Sequence, residues 1–163
     1  MSPGQPTQPD GAAVELGTSA LEQARSRRLA LGDAADRVEE LIARPGPDPR
    51  WTERVTGAMS DLRTAFTDHV EEVESPDGLL PHLLSDSPRL ANAITRMYTD
   101  HTRIADLIET TCERLVDCGD ACDGVAVDSV RAATVDILAM ISKHRQAGAD
   151  LVYEAYHVDI GGG

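Results

Sequence analysis

Four stretches of this chain carry apolar residues at alternating spacings of three and four, and that period restricts the fold to long helices packed side by side. The first series is Leu21, Ala24, Arg28, Leu31, Ala35, Val38, Ile42, and the second is Val55, Ala58, Leu62, Phe66, His69, Val73. The third reads Leu90, Ile94, Met97, His101, Ile104, Ile108, Leu115, and the fourth Val130, Thr134, Ile137, Ile141, His144, Gly148, Leu151. In three of the four a histidine stands where a core leucine would normally go, and the spacing runs through it unbroken. A buried imidazole is costly unless a hydrogen bond, an ion or a metal satisfies it. Three imidazoles converging from three helices form half of a metal site.

Punctuation residues set the helix ends. Residues 1–17 are rich in Pro, Gly and Gln without a period, which predicts a disordered tail. Ser19-x-x-Glu22 is a capping box for the first helix, stopped after Ala43 by Pro45-Gly46-Pro47. Asp48-Pro49 opens the second, over 49–74, and Ser75-Pro76-Asp77-Gly78 is a turn. Leu79 to Leu84 predicts one or two helical turns. Ser87-Pro88 opens the third long helix, ending near Gly119, and the fourth runs from Val125 to Tyr156 before Gly161-Gly162-Gly163. Four such helices on mostly short connections predict an all-α, antiparallel up-down-up-down bundle over 18–157, with 158–163 a flexible end.

The 163 residues suit one domain, and with one Trp, one Phe and three Tyr its core must be aliphatic. A net charge of −13 argues against nucleic acid, whose phosphates need a basic face, and against an anionic membrane surface. No segment reaches the ~20 apolar residues of a membrane span. The N-terminus lacks the basic-then-apolar pattern of a signal peptide, so the cytoplasm is the expected compartment. Cys112, Cys118 and Cys122 are an odd count without an export signal, which predicts reduced thiols; their spacing matches no zinc motif.

The histidines can be placed along the bundle. At 1.5 Å per residue His101 lies about 21 Å from the start of its helix, and His144 and His69 about 18 Å and 9 Å from the ends of theirs. In an antiparallel bundle these distances are measured from one end, and they agree to within two turns.

Long amphipathic helices, an inward histidine on each and carboxylates about a turn away resemble the hemerythrin and HHE cation-binding family. The segments that carry the likeness are Asp68-His69-Val70-Glu71-Glu72-Val73-Glu74, Asp100-His101 with Asp106, and Lys143-His144 with Asp150 and Glu154. It covers roughly residues 20–157. The resemblance implies a hemerythrin-like bundle holding non-haem iron, one or two ions, between its helices; manganese or zinc ranks behind iron. It implies His69, Glu72, Glu74, His101, His144, Asp150 and Glu154 as ligands. It implies dioxygen-related oxidase or oxygenase chemistry, or sensing of dioxygen or nitric oxide, with a small-molecule substrate and a monomer or homodimer. The chain departs from the family in several places. The first helix has no histidine, Arg28 standing near that place, and the residues four after His69 and His144 are Val73 and Gly148 rather than acids. A metal-free binding or interaction module is the alternative, with the Arg28 guanidinium among Glu72, Asp150 and the imidazoles replacing the metal's charge.

Overall fold

A computed structural model of the protein describes residues 11–44, 50–119 and 122–157. The described residues are almost entirely helical. They form α1 (Gly11–Ala43), α2 (Trp51–Glu74), the short α3 (Leu79–Asp86), a 3₁₀ turn (Pro88–Leu90), α4 (Ala91–Cys118) and α5 (Gly124–His157). Four long helices therefore pack as a bundle, α1 on α2, α2 on α4, α4 on α5 and α5 back on α1. Helix α3 sits across one end, touching α1, α2, α4 and α5.

The first helix begins earlier than the capping box predicts. Gly11-Ala12-Ala13-Val14-Glu15-Leu16 follows the last upstream proline, Pro9, and nothing in it breaks a helix, so α1 runs back through Ser19. The expected tail is thus helical from residue 11, and residues 1–10 lie outside the described residues. The Asp48-Pro49 start and the 158–163 end also fall outside them. At Ser87-Pro88 the chain makes a 3₁₀ turn before α4, and α4 ends at Gly119, which takes φ 54, a left-handed value suited to glycine.

The turn after α2 depends on Gly78. Its N–H donates to Ser75 O at 2.7 Å, and a Cβ there would stand 2.5 Å from Glu72 O and 2.7 Å from Val73 O. Only a residue without a side chain lets α3 fold back so tightly. Cys118 and Cys122 are joined as a disulfide across the α4–α5 connection, which overturns the expectation of three reduced thiols; Cys112 alone is free. Their Cα atoms stand 4.8 Å apart, a separation that sequence spacing alone does not indicate.

Every periodic position of α2 and α4 is buried, as are those of α5 apart from half-buried Gly148. On α1, Leu31, Ala35, Val38 and Ile42 are buried, Arg28 is half-buried, and Leu29 is 58% exposed, so the seam passes through Arg28. Buried Thr111 and Thr134 satisfy their hydroxyls on the carbonyls of Leu107 and Val130 one turn back. The apolar core has two parts. One contains Leu62, Phe66, Ile104 and Ile141; the other, beside α3, contains Val73, Leu80, Met97 and Leu151. The three seam histidines belong to neither cluster and fall between them in sequence on each helix.

Candidate metal centre

His69 from α2, His101 from α4 and His144 from α5 meet in one buried layer, 8%, 2% and 2% exposed. Each arrives there because a histidine interrupts the apolar seam of its own helix. The Nε2 atom of His144 lies 3.1 Å from Nε2 of His101 and 3.3 Å from Nε2 of His69. Candidate donor atoms of all three lie within 4.8 Å of one another. Phe66, one turn before His69, closes one side, its ring centroid 6.2, 6.1 and 6.4 Å from those of His69, His101 and His144.

Burial keeps the rings uncharged. It lowers His69 to about 4, with smaller contributions from His101 and Arg28. It lowers His144 to about 3, helped by His101 and His69. His101 is also lowered by burial, against the pull of Glu74 and Asp100. Neutral imidazoles at neutral pH are the form that ligates a metal.

The protons can be counted. His101 Nδ1 is 2.5 Å from Glu74 Oε1, and since a carboxylate only accepts, His101 donates there and its Nε2 carries a lone pair. His144 Nε2 has one hydrogen at most, so it can donate to His101 but cannot also bond His69 as an acceptor. Nδ1 of His69 and Nδ1 of His144 are buried with no hydrogen-bond partner. With that donation made, three ring nitrogens stay unsatisfied: both of His69 and the outer one of His144. A cation facing the three Nε2 atoms removes the conflict at the centre of the layer. Metal–imidazole distances of about 2.0–2.1 Å place tetrahedral ligands ~3.3–3.4 Å apart, close to the 3.1 and 3.3 Å that separate His144 Nε2 from the other two.

The structure brings together three of the seven residues expected as ligands. Glu74 is adjacent but bonds the outer nitrogen of His101, a position that fixes the tautomer and turns Nε2 inward. Glu72 is half-buried and outside the cluster. Asp150 is exposed and accepts from Gln146 at 2.8 Å, while Glu154 is exposed and its backbone carbonyl accepts from Arg89. No ion pair joins Arg28 to Glu72 or Asp150 among the described residues.

A cavity of about 50 Å³ opens on the histidine layer from the α3 end, and Arg25, Arg28 and Arg145 line it with apolar side chains. Of the three arginines, Arg28 alone stands on the apolar seam spacing. Arg25 was legible three residues earlier on the same helical face, whereas Arg145 sits beside the α5 seam and carries no such signal.

No family model, curated protein or solved structure matches this chain. The geometry therefore stands by itself: three buried, neutral histidines that could hold a metal ion.

Proposed function

We propose that the protein is a bundle metalloprotein holding one divalent transition-metal ion on Nε2 of His69, His101 and His144. The observation that carries this reading is the meeting of three neutral imidazole nitrogens with too few protons to satisfy one another. Glu74 strengthens it by holding His101 from behind, as carboxylates do for metal-bound histidines. Cross-helix pairs support the antiparallel, hemerythrin-like order: Arg27 with Asp68, Arg63 with Glu109, Arg89 with Glu154, and Arg131 with Arg44. Iron is the ion the hemerythrin resemblance implies, while a donor set of nitrogens alone suits zinc as well. When bound, iron would offer open positions to dioxygen or nitric oxide, and zinc a Lewis acid.

This chain's own residues define the surroundings. Phe66 blocks one side of the imidazole layer, so the cavity is the approach for any small ligand. Val73, Leu80, Met97 and Leu151 give it apolar walls above the three rings.

The test is elemental analysis of protein purified from cells grown with added iron or zinc, followed by anaerobic titration of chelator-treated protein with Fe(II) and Zn(II). The expected result is about one equivalent per chain, lost in His144→Leu. Failure to take up either ion would overturn the proposal.

A further inference from the structure

The histidine layer is nearly sealed at the end of the bundle that α3 crosses. The cavity above the rings measures about 50 Å³, room for about three to four water molecules at ~10–15 Å³ each. A divalent transition-metal ion in water carries a shell of about six. Val73, Leu79, Leu80 and Leu151 line the cavity, and their side chains offer nothing in place of that shell. An ion therefore needs a wider opening than the closed fold provides.

Two of those wall residues, Leu79 and Leu80, belong to α3, and α3 is weakly tied. Its eight residues are too few to hold a helix in water on their own. Among the described residues no ion pair and no side-chain hydrogen bond involves Leu79 to Asp86. The long helices differ: Arg27 and Asp68 tie α1 to α2, and Arg63 and Glu109 tie α2 to α4. What docks α3 is the burial of Leu80 and Leu83, 3% and 1% exposed, while Leu84, Ser85 and Asp86 face solvent. Its flanks are fixed. Gly78 and Ser87 are buried, the Gly78 N–H bonds Ser75 O at 2.7 Å, and Val73 and Leu90 beyond them are packed in the bundle. The eight residues between can undock, losing their helix as they do, while the anchors stay in place.

We propose that α3 is a lid over the histidine layer, hinged at Gly78 and Ser87, and that ions and polar reagents reach the imidazoles only while it is lifted. Closed, it sets Leu79 and Leu80 in the cavity wall. Open, it uncovers the layer without disturbing the part of the core formed by Leu62, Phe66, Ile104 and Ile141. For the ion it admits, the lid rests on the metal reading; its motion does not, and is measured without metal.

The test treats chelator-treated full-length protein with diethyl pyrocarbonate, which acylates neutral imidazole and is too large for the closed cavity. Modification of His69, His101 and His144 is followed residue by residue by mass spectrometry, beside amide hydrogen exchange of α3. Leu83→Ala removes a docking side chain that is not part of the cavity wall. It is expected to speed both the modification and the α3 exchange by the same factor, roughly ten- to a hundredfold. Ser85→Ala, on the exposed face, raises the helix propensity of α3 and is expected to slow both by about twofold. Val38→Ala, in the part of the core away from α3, is expected to leave the modification rate unchanged. If Val38→Ala speeds modification as much as Leu83→Ala, the rings are reached only by global unfolding, which overturns the proposal. Equal rates in wild type and Leu83→Ala would place the entrance elsewhere, with the same consequence. Should Leu83→Ala not fold, Ser85→Ala decides, and an unslowed reaction overturns the lid. Metal uptake is timed separately. Histidines that react in step with α3 exchange in protein that takes up no ion sink only the metal centre. Metal uptake at a rate indifferent to Leu83→Ala sinks only the lid.

Discussion

Replacing His69 by leucine should make the metal-free protein more stable while abolishing its metal binding. The three rings cannot all be satisfied without a cation. If His144 donates from Nε2 to His101, both nitrogens of His69 stay unpaired, and Nδ1 of His69 is buried without a partner. Each unsatisfied buried polar atom costs about 1–3 kcal/mol, and access to water from the cavity lowers that for Nε2. Leucine removes both atoms, leaves the His144-to-His101 hydrogen bond in place, and adds a few tenths of a kcal/mol of helix propensity. The net gain expected is about 1–3 kcal/mol, or roughly 3–10 °C in a domain of this size. His101→Leu removes the same metal ligand chemistry with a different stability cost. It takes from the half-buried Glu74 carboxylate its one hydrogen-bond donor among the described residues, and from His144 its acceptor, so its metal-free form should be no more stable than wild type. The assay is urea and thermal unfolding of chelator-treated wild type, His69→Leu and His101→Leu at neutral pH, beside metal titration of each. A destabilised His69→Leu would mean that this imidazole is satisfied within the metal-free fold, and the proton count would be refuted.

Glu74→Gln should weaken metal binding by about tenfold with an unchanged melting curve, because the carboxylate behind His101 raises its basicity; unchanged affinity in a competition titration would reject that role. Metal-free protein should lose stability as pH falls below about 6.5, the value for an unfolded histidine. The folded rings of His69 and His144 resist protonation down to about 4 and about 3, so the unfolded chain binds more protons across that window. At pH ~5 the two together cost on the order of 3–4 kcal/mol, and a flat stability between pH ~6.5 and ~4.5 would contradict the buried neutral rings. Gly148→Ala should stabilise the protein by about 0.5–1 kcal/mol, since alanine favours the helix and its Cβ meets only Met97 Cε at 3.5 Å; a lower melting temperature would show the cavity to be closed there.

The histidine layer was legible in the sequence because helical period is a one-dimensional signal. A residue on the spacing of Val55, Leu62 and Phe66 must point inward, so His69 had to be buried, and the same holds for His101 and His144. Four helices, the α3 segment and the burial of the seams followed from the same signal. The carboxylates illustrate where it stops. Asp150 and Glu154 lie six and ten residues beyond His144, and at 100° per residue neither returns to the inward face; both are exposed. Glu74 is five residues beyond His69 on its own helix, yet it meets His101 across the interface, because α2 ends where α4 passes it. That contact depends on where two helices cross, and the sequence of either helix does not contain it. The same limit hid Arg145, whose partner is a backbone surface at Gly32 on another helix. Arg28 lies on the seam as its spacing requires, but among the described residues no ion pair joins it to Glu72 or Asp150, the counter-charges of the metal-free alternative. Its side chain instead lines the cavity over the histidines, beside His69, whose protonation its charge disfavours.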